Sequence, residues 1–467
     1  MQLRKWQAES VKLALEHYQE ISKHFLCLAT PGAGKTVMAA EVAAKLHEQD
    51  KIDFVLCFSP SITVAQSITY TFSKRFAARF DGVIGAVGCS YTYQNIMFFK
   101  EDFWQLLKKY RVLVVFDEIH HCSGSSLENA NAWGEEIIQN IQQQANFTLA
   151  LTGTPWRSDN APIVLSNYSD PDGLIQCDYI YGLKDAVQDG VCRIPTLVLI
   201  DNEKISVTDE DNQKKVFTGI QELLNQSIVS YHSVITNDYV MKDILNRGCN
   251  KLKEIRNSNP NAGALVVAAS VEHAIEIVRL LRETFNQTAV LVTYKQAKPS
   301  EIIEHFRYSN TQWIVSVGMV SEGTDIPRLQ VCCHLSRIKT ELYFRQVLGR
   351  ILRISDAQNQ EAWLYTFAEP KLSDFANRIK DDLPDYNVIT TVDLQIEDRD
   401  NLNKSKKKSE ISTNSLFEWD NFTDEAPHQS IGDNVPSTGN MTSIEQPTIE
   451  MLGMFREQII ATFADHF

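Results

Sequence analysis

The segment Ala29-Thr-Pro-Gly-Ala-Gly-Lys-Thr36 follows a short apolar run and opens a helical pattern. Gly32 and Gly34 let such a loop wrap so that backbone N–H groups converge on phosphate oxygens. Lys35 would set a cation against β- and γ-phosphates, and Thr36 would offer a hydroxyl to Mg2+. A second segment, Asp117-Glu-Ile-His120, ends the apolar run VLVVF. An acidic pair at a strand tip beside a phosphate loop has defined work. Asp117 is expected to hold Mg2+ through water, and Glu118 to orient and deprotonate an attacking water. Without the loop, the same pair reads as an acidic helix cap. His120 and His121 are expected to point apart, so they do not read as a zinc pair. The third segment is Gln346-Val-Leu-Gly-Arg350-Ile-Leu-Arg353. Arg350 and Arg353 at i and i+3 would share a helix face. Charge developing on a transferred phosphoryl group needs such a cation. Taken alone, the segment is an amphipathic helix with solvated arginines.

These residues need a scaffold that brings them together. From Met1 to about Pro195, short apolar runs recur at 25–30, 54–60, 112–118 and 147–154, and each ends in small or polar residues. Helical patterns such as Val37–His47 and Phe103–Tyr110 lie between them. That alternation predicts a doubly wound parallel sheet, with ligands at the carboxyl ends of its strands. A second set of runs, at 264–270, 289–294, 313–318 and 362–367, predicts another. The expected organisation is an α/β domain over 1–195, a mostly helical connector over 196–262 and a second α/β domain over 263–395. The polar stretch 396–447 reads as a disordered linker, in which the basic run 404–408 is a solvated feature. Ile449, Leu452, Phe455, Ile459, Phe463 and Phe467 recur at steps of three and four, which predicts an amphipathic helix over 448–467.

Composition bounds the function. The chain has 467 residues, 43% hydrophobic and 22% charged, enough for two or three domains and a sizeable core. No apolar run reaches the length of a membrane span, and the N-terminus has no apolar signal region. None of the nine cysteines forms a CxxC pair, which argues against zinc and iron–sulfur sites and fits a reducing, cytoplasmic setting. A net charge of −14 disfavours tight, salt-resistant nucleic-acid binding but permits a local basic groove.

The three chemical segments, in this order, resemble superfamily 2 helicases and translocases. Further motifs then fit the resemblance. Leu3-Arg-Lys-Trp-Gln7 resembles the Q motif, which implies that Gln7 reads adenine. Ser59 with Gln66 resembles motif Ia, and Thr92-Tyr-Gln94 a backbone-gripping segment. Thr152-Gly-Thr-Pro155 resembles motif III, residues 268–274 with Ser270 motif IV, and Val320–Pro327 motif V. The resemblance implies two RecA-like domains with ATP between them. It implies nucleotide sensing by Gly323 and Asp325, coupling of ATP state to closure by Thr152 and Thr154, and contact of Gln346 with the γ-phosphate or its water. Ser59, Gln66, Thr92 and Ser270 would touch nucleic acid. DEIH, TGTPWR, AVQDGVCRIP, SEGTDIP and FRQVLGRILR resemble the branch of type III restriction subunits and XPB-like DNA helicases.

The resemblance implies ATP-dependent movement along DNA rather than RNA, in repair or antiphage defence. An RNA helicase, or an ATP-driven switch within a protein complex, are the rival readings. Gln7 lies so early that no N-terminal DNA-recognition domain is expected. No nuclease constellation is evident, so a nuclease or other subunit is the expected partner; the C-terminal helix is expected to fold back on the chain's own second domain, with docking onto that partner as the alternative.

Overall fold

A computed structural model describes residues 2–20, 22–126, 129–154, 157, 161–169, 175–208, 212–227, 229–318, 325–380, 388–390 and 448–461. The anticipated linker over 396–447 lies outside the described residues.

The first α/β unit is a six-stranded parallel sheet. Its strand order is Gly88–Thr92, Phe54–Ser59, Val112–Asp117, Phe147–Thr152, His24–Ala29, Tyr179–Tyr181. Successive side chains of a strand face opposite ways, and both faces are apolar here. Val55, Cys57, Leu113 and Val115 enter one buried cluster, while Leu56, Phe58, Val112 and Val114 enter another. The sheet is therefore covered on both sides, as a doubly wound sheet must be.

The second unit is a seven-stranded sheet in the order Ala289–Val292, Trp313–Ser316, Gly263–Ala268, Leu329–Leu335, Glu361–Phe367, Ile194–Asn202, Phe455–Ala461. The first six strands are parallel, and the seventh is antiparallel to its neighbour. Three of these strands depart from the sequence reading, the C-terminal one among them. Leu329–Leu335 is fully buried at the sheet's centre yet was not anticipated. Ile194–Asn202 falls largely inside the supposed helical connector. Its run Leu197–Ile200 is buried, and it pairs along seven residues with Glu361–Phe367. The rest of the connector forms a hairpin, Ile205–Thr208 with Lys214–Phe217, and then helices that include Asp238–Ser258.

The C-terminal segment is not the expected helix. Thr448–Met451 pairs antiparallel with Ile205–Thr208, and Phe455–Ala461 pairs with Ile194–Asn202. Two open sheet edges thus capture the segment, because unpaired edge N–H and C=O groups offer more partners than an isolated helical turn. Gly453 sits between the strands, where an added Cβ would lie 2.4 Å from the Lys204 backbone nitrogen. Among the described residues no helix is long and apolar enough to cross a membrane.

Candidate active site

The phosphate loop joins strand His24–Ala29 to helix Lys35–Glu48. Gly32 and Gly34 have φ of 85° and 95°, a region that side chains disfavour. Space is also short there. A Cβ on Gly34 would come within 2.8 Å of Gln7 Nε2, and one on Gly32 within 3.3 Å of Arg353 Cγ. The loop is held from outside by Arg4, which donates to the Ala33 carbonyl at 2.7 Å. Gln7 donates to the Gly34 carbonyl at 2.9 Å and accepts from the Arg4 backbone N–H at 2.9 Å. The Gln7 side chain is buried, with both ends of its amide engaged by backbone. It braces the loop in this arrangement.

Asp117 ends the strand Val112–Asp117 and is buried. Glu118 follows with φ of 52°, a conformation that costs a non-glycine residue about 1 kcal/mol or more. That strain turns its carboxylate toward the loop. Lys35 Nζ lies 3.0 Å from Glu118 Oε1 and donates to the Ala29 carbonyl at 3.1 Å. The Gly153 N–H donates to Glu118 Oε2 at 2.9 Å. The two acids are therefore driven apart in proton affinity. Burial, reinforced by the charge of Glu118, raises Asp117. Burial would also raise Glu118, but the Lys35 charge and the Gly153 N–H bring it below the ordinary carboxylate range.

A polar chain runs on from the acids. The Thr152 hydroxyl donates to the Thr154 carbonyl at 2.7 Å, so the His120 Nδ1–H must be the donor in its 3.0 Å contact with Thr152 Oγ1. Burial lowers His120 to about 3, which keeps the ring neutral. Arg157 donates to the His120 carbonyl at 2.5 Å. Thr152 and Thr154 are thereby physically joined to the acidic pair. The rings of His120 and His121 do not diverge as expected, since their centroids are 4.5 Å apart. Among the described residues no cluster of three or more metal-ligating groups occurs.

The second unit supplies the opposite wall. Gln346 and Arg350 lie on helix Glu341–Ile351, whose Gly349 packs on Pro31 so closely that a Cβ would come within 2.7 Å of Pro31 Cβ. Arg353 is not on that helix. It lies past the helix end, where its backbone forms a β-bridge with Cys192, so the shared helix face of Arg350 and Arg353 is corrected. The two arginines still converge on one cleft of about 440 Å3. Gly32, Gly34, Lys35, Thr36, Asp117 and Glu118 line it from one unit, and Asp325, Gln346, Arg350 and Arg353 from the other. Asp325 is ion-paired with Arg353 and lies 3.2 Å from Arg307. Gly323 lies outside the described residues, as does Pro155 of the Thr152–Pro155 motif.

The four residues anticipated on nucleic acid divide. Ser59 is wholly buried, and its hydroxyl donates to the carbonyls of Ser61 and Tyr91. Thr92 is buried and bonds Asn95 Oδ1 at 2.9 Å. Both lie at strand tips, Ser59 with no exposed surface and Thr92 with little. Ser270 caps helix Val271–Glu283 by accepting from the His273 N–H at 3.1 Å. Gln66 is exposed. Arg4 was missed, although it stands inside the quoted LRKWQ; only its contact with the loop carbonyl sets it apart from a solvated basic residue.

Residues 1–157 match the family model of the type III restriction enzyme res subunit, and residues 247–355 match that of the helicase conserved C-terminal domain. An uncharacterized protein of Mycobacterium leprae is 28% identical over 396 residues, 81% of this chain and 64% of that protein. The chain thus spans less than two thirds of the length of this relative. A DNA 3'-5' translocase of Sulfurisphaera tokodaii is 25% identical over 77% of this chain and 80% of its own. Among solved structures, a fragment described as the HsdR subunit of a type I restriction enzyme from Vibrio vulnificus superimposes with a TM-score of 0.57 at 18% identity. It covers 83% of this chain and 68% of that one. At that identity the match speaks for the fold, two tandem RecA-like units.

Proposed function

Because this chain carries the paired motor domains of superfamily 2 helicases and translocases, in the branch of type III restriction subunits and XPB-like enzymes, we propose that it hydrolyses ATP to move along or remodel DNA. The observation that carries the reading is the cleft. It sets a phosphate loop and an acidic pair from one domain against Gln346, Arg350 and Arg353 from the other. Lys35 would bind the β/γ-phosphates, Glu118 would take the proton of the attacking water, and the arginines would meet charge developing on the γ-phosphoryl group. Thr36 and Asp117 offer the hydroxyl and carboxylate oxygens that suit Mg2+, which when bound would neutralise phosphate charge. Residues from two domains complete the site, so hydrolysis would be tied to domain closure.

DNA is the proposed track because a relative covering most of the chain is named a DNA translocase. With a net charge of −14, the grip should be modest and salt-dependent. Repair or restriction-type defence, in the cytoplasm and with a nuclease or other subunit as partner, is the proposed setting. The same charge also supports a second reading, an ATP-driven switch within a complex that unwinds nothing. The test is ATP turnover by the purified chain with single-stranded DNA, duplex DNA and RNA, paired with a strand-displacement assay. DNA stimulation greater than RNA stimulation is expected. Stimulation by RNA alone would overturn the choice of track, and DNA-stimulated turnover without displacement would favour translocation or switching.

A further inference from the structure

Arg193 is a buried arginine in the short link between the two domains, with 1% of its surface exposed. Among the described residues its guanidinium meets no carboxylate. It donates to the carbonyls of Pro327 at 3.0 Å, Leu329 at 2.6 Å and Ile351 at 3.2 Å. It also donates to Ser355 Oγ at 3.0 Å and Gln360 Oε1 at 3.1 Å. A buried cation held only by neutral acceptors is costly, and burial lowers Arg193 to about 10. A buried hydrophobic residue would fill the space at less cost, so the pattern of acceptors needs a reason.

Those acceptors flank the cleft residues. Pro327 and Leu329 lie shortly after Asp325 in the chain. Ile351 and Leu352 end the helix that carries Gln346 and Arg350, and Arg353 comes next. The last carbonyls of a helix have no partner within it, and a cation there complements its dipole. Arg193 supplies both: its guanidinium reaches the Ile351 carbonyl, and its backbone N–H donates to the Leu352 carbonyl at 2.7 Å. The residues beside it complete a strap. Cys192 bridges Arg353 and points its thiol at the Pro31 carbonyl of the phosphate loop at 3.8 Å, and Val191 lines the cleft.

We propose that Arg193 is the positioning residue of the second-domain half of the site, fixing Asp325 and Arg353 relative to each other and to the phosphate loop. A planar fork with five N–H donors can span acceptors on three separate segments. A lysine ammonium, a single point with three donors, cannot. The inference rests on the ATP-hydrolysis reading for its catalytic consequence but not for the anchoring itself.

Two measurements separate these. In Arg193→Lys, kcat for ATP should fall by about 10²-fold while the KM for ATP changes little, because arginines held for the transition state are displaced. Gln360→Ala, which removes one peripheral acceptor, should give a smaller fall of the same kind. Hydrogen exchange on the chain without nucleotide should show faster exchange in Arg193→Lys at 325–330 and 350–355, with the Gly263–Ala268 strand unchanged. A folded Arg193→Lys with wild-type kcat would overturn the proposal. So would exchange that rises evenly across the second domain, since that is the mark of a merely structural residue. If the wild-type chain hydrolyses no ATP, the functional reading fails, and the exchange pattern still decides whether Arg193 anchors the two segments.

Discussion

Lys35 Nζ sits 3.0 Å from Glu118 Oε1, so the cation that would hold phosphate is paired with the carboxylate that would take the water's proton. The Lys35 charge helps keep Glu118 ionised at neutral pH. Lys35→Ala therefore removes two functions, the phosphate cation and the partner of a half-buried carboxylate. It should show no measurable ATP turnover and weakened nucleotide binding by titration. Glu118→Gln keeps an oxygen for the Gly153 N–H but loses the base and the charge that pairs with Lys35. It should bind ATP and hydrolyse it about 10²-fold more slowly or worse. Full turnover in Glu118→Gln would show that another group accepts the proton.

Arg350 and Arg353 should separate by what each variant breaks besides catalysis. An arginine acting on the transferred phosphoryl group contributes about 10³-fold or more to kcat. Arg350→Ala should lose turnover on that scale. Arg353→Ala removes one of the two arginines that pair with Asp325 and opens space against Gly32, so its melting temperature should also fall. Losses confined to KM in both variants would mean that the arginines bind ground-state phosphate only.

The phosphate loop and Asp117-Glu118 could be read from sequence because each is local: a strand, a tip and a few residues of fixed type. Arg353 shows where that reading stops. Its i+3 spacing from Arg350 suggested one helix face, but the helix ends at Ile351, and the bridge that fixes Arg353 comes from Cys192, far away in sequence. Gln7 was legible as a residue but not in its bonding, since its partners Arg4 and Gly34 meet only in the fold. The C-terminal segment was misread for a related reason. Ile449, Leu452, Phe455 and Ile459 fit helical spacing, but Ile449, Met451 and Phe455 also fit strand alternation. Only the distant edges at Ile194–Asn202 and Ile205–Thr208 decide between them.

His334 should make stability fall on the acid side of neutrality. It is fully buried on the central strand Leu329–Leu335, beside Tyr343 and Phe344, and among the described residues neither ring nitrogen has a hydrogen-bond partner. Burial lowers it to about 4, against about 6.5 for an unfolded histidine. Above 6.5 both states are neutral and the group contributes no pH dependence. As pH falls from there toward 4, the unfolded chain binds a proton that the folded chain does not, so stability drops. Between pH 7.5 and pH 5 the loss is about 2 kcal/mol. Urea unfolding at those two pH values should show a smaller difference in His334→Leu than in wild type. An identical difference would place the acid sensitivity elsewhere.

The last prediction concerns residues 448–467, whose described part closes two sheet edges. Phe455–Ala461 lies along seven residues of Ile194–Asn202, and Thr448–Met451 along four of Ile205–Thr208. Side chains lock the same register. Glu457 pairs with Arg247, Glu450 with Lys214 at 2.8 Å and Arg456 with Asp201 at 3.3 Å. The buried Asn202 donates to the Gly453 carbonyl at 3.0 Å, and Ile460 is 3% exposed. Exposed ion pairs contribute little each, so most of the stabilisation comes from the backbone ladder and the apolar contacts. Deleting 448–467 would leave Ile194–Asn202 as an open edge containing the apolar run Leu197–Ile200, a template for pairing with another chain. The deletion should lower the melting temperature by about 5 °C or more and shift the chain toward larger species on size exclusion. A tethered docking segment would behave differently: its loss would leave the melting temperature unchanged and abolish co-purification with a partner. Removing the Glu457 carboxylate alone, as Glu457→Gln, should change the melting temperature far less than the deletion. That ordering is expected if the strand, and not its surface charges, holds the edge closed.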